Sequence, residues 1–330
     1  MESKRGHAGI TIRLCKEAGA FAAVRGGGPL DHDQRRPART FMKKKIGMVG
    51  IGMMGHGIAS NLVKHGHELA VFEHPGNQPL DGLVAAGVTT YKSLKELAAR
   101  SDVVILVLTG APQVEGVLTG AGGILEGLRP GAVVIDCSTS IPSTTVRMAG
   151  AVRAAGGRLL DSPMTRTPKE AAEGRLNLLI GGDTGLLEEC RPLLQCFAEN
   201  ITHMGPVGAG HSMKLLHNYV SLGMVSLIAE AAACAGRNGV APDAFVDVLA
   251  KGGGGGIALE RIKPFLLAGD SSGLRFSVAN ARKDLDYYNA MAGDAGSPRE
   301  IAGAVLATLE SALAREPGAL VPELARILAG

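Results

Sequence analysis

The chain has 330 residues, long enough for two domains with cores of their own, and its 46% hydrophobic and 20% charged residues are the proportions of a soluble enzyme. The net charge is only +3, and residues 1–41 hold eight Lys/Arg against four Asp/Glu, so the rest of the chain is near neutral and carries no basic footprint for nucleic acid. Aromatic residues make up 3% with no Trp, which excludes stacking platforms for single strands, and the longest strongly apolar run, 103–108, is too short to span a bilayer.

Residues 1–41 show scattered Arg, a GGGP turn and the polar run DHDQRRPART without a sustained period, and they read as a disordered or non-native extension. Glu2, Glu17, Asp31 and Asp33 argue against a transit peptide, which would be poor in acids. From 42 to 205 short apolar runs alternate with helical stretches. Strands are expected near 46–49, 69–72, 103–108, 132–136, 158–161 and 176–181, with helices such as 112–118 and 142–155 between them. That alternation predicts a doubly wound Rossmann domain, a mostly parallel sheet with helices on both faces. From 206 to 330 the pattern is helical throughout. A long interdomain helix over 211–237, hydrophobic enough to be buried on most sides, leads helices near 242–250, 258–268, 278–291, 299–315 and 321–328. This second domain is expected to hold substrate and to support oligomerisation. The glycine run 252–256 reads as a flexible loop suited to closing on a ligand.

The run KIGMVGIGMMGHGIASNLVKH at 45–65 orders a strand, a glycine-rich turn and a helix start. Gly50 suits the tight turn, Gly52 a close approach of backbone to a pyrophosphate, and Gly55 helix-on-strand packing. Met53 and Met54 open the helix, whose N-terminal N–H groups would face the phosphates. Glu73, about 20 residues on, is placed for a carboxylate on a ribose 2′-OH, so NAD(H) is the expected cofactor and NADP(H) the less favoured one, with His74 nearby to soften the discrimination. On the long helix Lys214 and Asn218 are four apart and share a face. A lysine in an apolar helix is costly unless used, and one of lowered pKa can move a proton at a carbonyl or alcohol oxygen. The competing readings are a lysine that snorkels to solvent and a proton carried by the adjacent His217. Five cysteines, Cys15, Cys137, Cys190, Cys196 and Cys234, are odd in number and lack a CxxC pair. They read as reduced thiols of a cytoplasmic protein, and no metal site is expected.

GIGMMGHGIASNLVKHGHELAVFE, DCSTSIP at 136–142, DSPMTRTP at 161–168, GPVGAGHSMKLLHN at 205–218 and KDLDYY at 283–288 fall in one order. From Met42 to the C-terminus the chain thereby resembles the β-hydroxyacid dehydrogenases, the family that includes 3-hydroxyisobutyrate dehydrogenase. The resemblance implies Lys214 as catalytic lysine, Asn218 as its partner orienting substrate, Ser138 and Thr139 near nicotinamide and substrate, and Lys283 as a residue closing over the cofactor. It also implies a homodimer or homotetramer and a small hydroxy acid or semialdehyde as substrate.

Three departures stand out. Where most of the family has a Ser-Gly-Gly run in the substrate loop, this chain has Thr165, Arg166 and Thr167, an arginine placement similar to that of the sulfolactaldehyde reductases. Arg166 is thus expected to read an anionic head group beside Thr165, although it could instead pair with Glu170 or Glu173 at the surface. Thr109 replaces a common proline, and His217 a frequent asparagine. An imine reductase shares the architecture but commonly lacks the lysine, and a non-catalytic assembly module would be expected to lose Lys214 or Asn218; both are present.

Overall fold

The structure, a computed structural model, describes residues 44–330. The extension expected at 1–41 lies outside the described residues.

The first strand, β1 (Lys45–Val49), runs into α1 (Met53–Lys64) through the glycine turn; β2 (Glu68–Phe72), α2 (Asp81–Ala85), β3 (Thr89–Tyr91) and α3 (Leu94–Ala99) follow. Then come β4 (Val103–Leu106), α4 (Ala111–Thr119), α5 (Ile124–Gly127), β5 (Val133–Asp136), α6 (Pro142–Ala154) and β6 (Arg158–Asp161). After them lie β7 (Met164–Thr165), α7 (Pro168–Ala172), β8 (Leu176–Gly181), α8 (Thr184–Leu194) and β9 (Ala198–Gly205). The strands form one sheet in the order β3-β2-β1-β4-β5-β6-β8-β7, with β9 pairing β8. Pairings are parallel from β3 to β6, antiparallel for β6–β8 and β7–β8, and parallel again for β8–β9. Strands β1, β4 and β5 are buried on both faces, as the apolar runs 46–49 and 103–106 require. The strand order reverses between β1 and β4, and in such sheets the crevice at the reversal, beyond the strand C-termini, takes the ligand.

Beyond the sheet the chain is helical: α9 (Ala209–Arg237), α10 (Pro242–Lys251), α11 (Ile257–Ala268), α12 (Val278–Asp294), α13 (Glu300–Arg315) and α14 (Leu324–Ala329), with two short 3-10 turns. Leu222, Val225 and Ile228 of α9 pack with Leu259 and Ile262 of α11 and Leu285 of α12 into one core. Three strands carry no mark in the sequence. β3 and β7 are three and two residues long, and β9, AENITHMG, is too polar and too exposed to alternate cleanly.

The long helix departs from its expected burial. Met213, Leu216, Val220, Met224 and Leu227 form an exposed stripe along one side, while Leu215, Leu222, Val225 and Ala229 on the other side are buried. By length and composition α9 could cross a membrane, but a core helix passes the same test, and here one side of it is built into the helical core.

The sheet and α9 meet at Asp161. Its fully buried carboxylate accepts the N–H groups of Gly208 (2.8 Å) and His211 (2.9 Å) at the start of α9. Asp161→Ala leaves two buried donors without acceptors, at about 1–3 kcal/mol each. Urea unfolding of that variant is expected to show a loss of about 3 kcal/mol or more; a loss below about 1 kcal/mol would mean that the start of α9 is fixed by packing alone.

Candidate active site

The glycine turn builds a cradle for phosphates. Gly50 has φ +96°, and a Cβ there would meet the Val107 carbonyl at 2.2 Å, so only glycine lets the turn pass this close to the end of β4. A Cβ on Gly55 would lie 2.0 Å from the Gly50 carbonyl, which sets α1 directly on the turn. Gly52 is different. It is the N-cap of α1, offers no side-chain cap, and a Cβ added there meets nothing within 4 Å. The start of α1 thus has no capping side chain and has room beside Gly52, and with the positive end of the helix dipole there the arrangement fits a pyrophosphate. Met53 is exposed at this helix start and Met54 is half-buried against the core.

Glu73 follows β2 on the same edge of the sheet, half-buried, with its N–H donated to the Tyr91 carbonyl at 2.8 Å. Asn77, which sequence reasoning did not single out, ties this loop to the glycine turn. Its Oδ1 accepts from Ile51 N–H (3.1 Å), its Nδ2 donates to the Phe72 carbonyl (3.0 Å), and Gln78 N–H reaches the Ile51 carbonyl (2.7 Å). The residues present thus fit a dinucleotide, with donors for phosphates at one end of the cradle and a carboxylate for a ribose at the other.

A second group lies on α9 and α12. Asn218 is buried and donates through Nδ2 to Asp284 Oδ2 at 2.7 Å, while its Oδ1 accepts from His217 Nδ1 at 3.0 Å. Those partners assign the Asn218 orientation and place the His217 proton on Nδ1. The other Asp284 oxygen is 3.1 Å from Lys283 Nζ, in ion-pair range but without hydrogen-bond geometry. Lys283 also donates to the Thr109 carbonyl in the loop after β4, and Tyr287 accepts from Ala111 N–H at 3.1 Å. The helical part is thereby fastened to the crevice at two points. Lys214 shares the Asn218 face, and no described residue accepts a hydrogen bond from its ammonium. Burial pushes its pKa down to about 8; Asp284 opposes that shift, and the positive charges of Lys283 and Arg261 add to it. His217 is also held below its ordinary value, mainly by the partial burial of its ring.

The substrate-side residues divide. Ser138 is buried in the crevice wall, where its Oγ accepts from Leu108 N–H (2.9 Å), its N–H donates to Asp136 Oδ1 (3.0 Å), and its carbonyl accepts from His211 Nε2 (3.1 Å). Thr139 beside it is half-buried. His211, fully buried, bonds Thr145 through Nδ1 at 2.8 Å and lies 3.9 Å from Asp136 and 3.8 Å from Asp161. It was missed because nothing in its sequence position announces partners 50 to 75 residues away. Thr165 Oγ1 accepts from Asn177 at 3.1 Å.

Arg166 is engaged at the edge of the sheet, between β8 and β9. Its guanidinium is bonded to the Glu199 carboxylate and the Arg175 carbonyl, and the acids named from the sequence are engaged elsewhere: Glu170 caps α7 with Thr167, and Glu173 pairs with Arg175. Its φ is +83°, the left-handed value that the family's glycine would adopt freely. An apolar cavity of about 350 Å³ between Ala232, Phe245, Phe265 and Ala325 lies about 27 Å along α9 from Lys214 and contributes nothing to this site.

An open phosphate cradle at the sheet reversal and, on the helical part, a half-buried lysine of depressed pKa one turn from a buried asparagine are the features of a nicotinamide-dependent oxidoreductase. Residues 45–205 match the NAD-binding domain of 6-phosphogluconate dehydrogenase, and residues 208–320 the NAD-binding domain of NADP-dependent 3-hydroxyisobutyrate dehydrogenase. The NAD-dependent L-serine dehydrogenase of Pseudomonas aeruginosa is 34% identical over 290 residues, 86% of this chain and 92% of the relative. The 2-(hydroxymethyl)glutarate dehydrogenase of Eubacterium barkeri is 31% identical over 73% of this chain and 80% of its own. The solved structure of Mycobacterium tuberculosis 3-hydroxyisobutyrate dehydrogenase with L-serine superposes with a TM-score of 0.79 at 27% identity, covering 88% of this chain and all of that one. The chain belongs to the β-hydroxyacid dehydrogenase family, dehydrogenases acting on CH–OH groups with a nicotinamide cofactor.

The open space at Gly52 separates binding from folding. Gly52→Val is expected to keep the melting temperature of the parent while weakening NADH affinity by about tenfold or more, since a side chain there occupies the volume a phosphate needs. Calorimetric titration with NADH checks this, and unchanged affinity would place the phosphates elsewhere.

Proposed function

We propose that the protein oxidises a small β-hydroxy acid to its semialdehyde, or runs the reverse reduction, with NAD(H) preferred over NADP(H) and Lys214 moving the proton. The observation that carries this reading is the Lys214 ammonium, with a pKa of about 8 and no hydrogen bond to a described residue, on one face with Asn218. The nicotinamide, when bound, takes or gives the hydride. Lys214 as neutral amine accepts the hydroxyl proton in oxidation; as ammonium it donates to the carbonyl oxygen in reduction. Asn218, held by Asp284 and His217, orients the substrate, and the Asp284 charge keeps the lysine pKa from falling further.

Two relatives support the substrate class, being named for L-serine and 2-(hydroxymethyl)glutarate, each a primary alcohol one carbon away from the carbon that bears a carboxylate. The positive charges of Lys283 and Arg261 around Lys214 favour an anionic head group; with its guanidinium held by Glu199, Arg166 serves the loop in this reading rather than the anion. The α9 stripe from Met213 to Leu227 suits burial against a second copy in a homodimer or homotetramer.

Lys214→Ala is expected to lower kcat by about 100-fold or more with NADH affinity within about twofold of the parent. Near-native turnover would move the role to His217. In the parent, oxidation should rise with pH through about 8 and reduction fall through it, because the amine is the base and the ammonium the acid. Asp284→Asn should shift that limb to lower pH, since its negative charge raises the lysine pKa. A screen of three- and four-carbon hydroxy acids and semialdehydes bearing carboxylate or sulfonate tests the substrate class; no turnover on any of them overturns it.

A further inference from the structure

The geometry points to Lys92 as the second half of the cofactor-selecting site, a cation set beside Glu73 that receives the 2′-phosphate of NADP(H). This rests on the reading that Glu73 faces the adenosine ribose.

The placement is set by backbone. β2 and β3 pair in parallel with Phe72 opposite Tyr91, and Glu73 N–H donates to the Tyr91 carbonyl at 2.8 Å. Each strand therefore ends at the same level, and the next residue on each, Glu73 and Lys92, emerges at the same edge of the sheet. Lys92 Nζ lies 3.9 Å from Glu73 Oε2. The carboxylate is the more sheltered of the two, its side chain 37% exposed against 87% for the lysine. Asn77 clamps the loop after Glu73 to the glycine turn, which ties the Glu73 side of the pair to the phosphate cradle.

A ribose diol needs only acceptors, which Glu73 supplies. A 2′-phosphate carries nearly two negative charges at pH 7, is repelled by that carboxylate, and is attracted by an ammonium, a compact point charge that binds phosphate from any direction. Lys92 is exposed, so freeing it from Glu73 leaves no buried charge behind. In the parent protein the two charges offset one another, which makes the preference for NAD(H) graded rather than absolute. With the Glu73 charge gone, Lys92 remains as an unopposed cation. In water two unit charges about 4 Å apart differ by roughly fivefold in an equilibrium constant, and the phosphate carries nearly two, so the expected change is about fivefold to twentyfold.

The test is calorimetric titration of the cofactor-free protein with NADPH and NADH, for the parent, Glu73→Gln, Lys92→Ala, Lys92→Arg and the Glu73→Gln/Lys92→Ala pair. Glu73→Gln is expected to tighten NADPH about tenfold while weakening NADH. Lys92→Ala alone should weaken NADPH about fivefold and leave NADH within about twofold, with Lys92→Arg retaining NADPH binding. Adding Lys92→Ala to Glu73→Gln should remove most of the gain, and the gain should shrink at high salt, as an exposed pair requires. A double variant that binds NADPH as tightly as Glu73→Gln alone overturns the role of Lys92. If the parent bound neither nucleotide, the cofactor reading itself would fail; NADH binding with NADPH indifferent to Lys92 would sink only this inference.

Discussion

Asp161 ends β6 with no exposed surface, and both of its oxygens are taken by backbone N–H groups in the first turn of α9. A buried carboxylate is costly unless it is fully hydrogen-bonded, and here the positive end of a 29-residue helix adds to the two bonds. The bond pair fixes where α9 starts relative to the sheet. His211 in the same turn reaches back to Ser138 and Thr145, so the ends of β5 and β6, the first turn of α6 and the start of α9 form one buried polar joint. Lys214 and Asn218 lie one and two turns further on. Their distance from the strand C-termini is therefore a property of the joint, and the glycine cradle across the crevice is referred to the same strands.

The parts legible in the sequence were those whose signal is local. Glycines that must lie close to a carbonyl, acids at the end of a strand and a lysine four residues before an asparagine all declare themselves within a few positions. β9 stayed hidden because it is polar and partly exposed, and β7 because two residues cannot show a period. Asp284 and His211 were within quoted motifs yet had no assigned role, since their meaning comes from Asn218, 66 residues before Asp284, and from Ser138, 73 residues before His211. Arg166 shows the limit of local signal: its residue type suggested an anion, and the anion its guanidinium meets in the structure is the Glu199 carboxylate, 33 residues away.

The long helix was harder to judge because its composition serves two faces. A uniform apolar content suggested burial all round, whereas the residues divide into one side packed on α11 and α12 and another left bare in the single chain. Hydrophobicity averaged along a helix cannot distinguish these cases; only the tertiary neighbours do.

Lys214 also makes the folded protein less stable than it would otherwise be. Its pKa falls from an ordinary 10.5 to about 8 on folding, so between those values the native state holds fewer protons than the unfolded chain and stability rises with pH. Below about pH 8 the penalty of keeping a charge away from water is fully present, and at neutral pH it is always felt. An unbranched apolar side chain of similar reach would relieve it and yield a sturdier molecule. The lysine is thus set apart by thermodynamics: the fold keeps, half-buried on α9, a group that opposes folding at neutral pH.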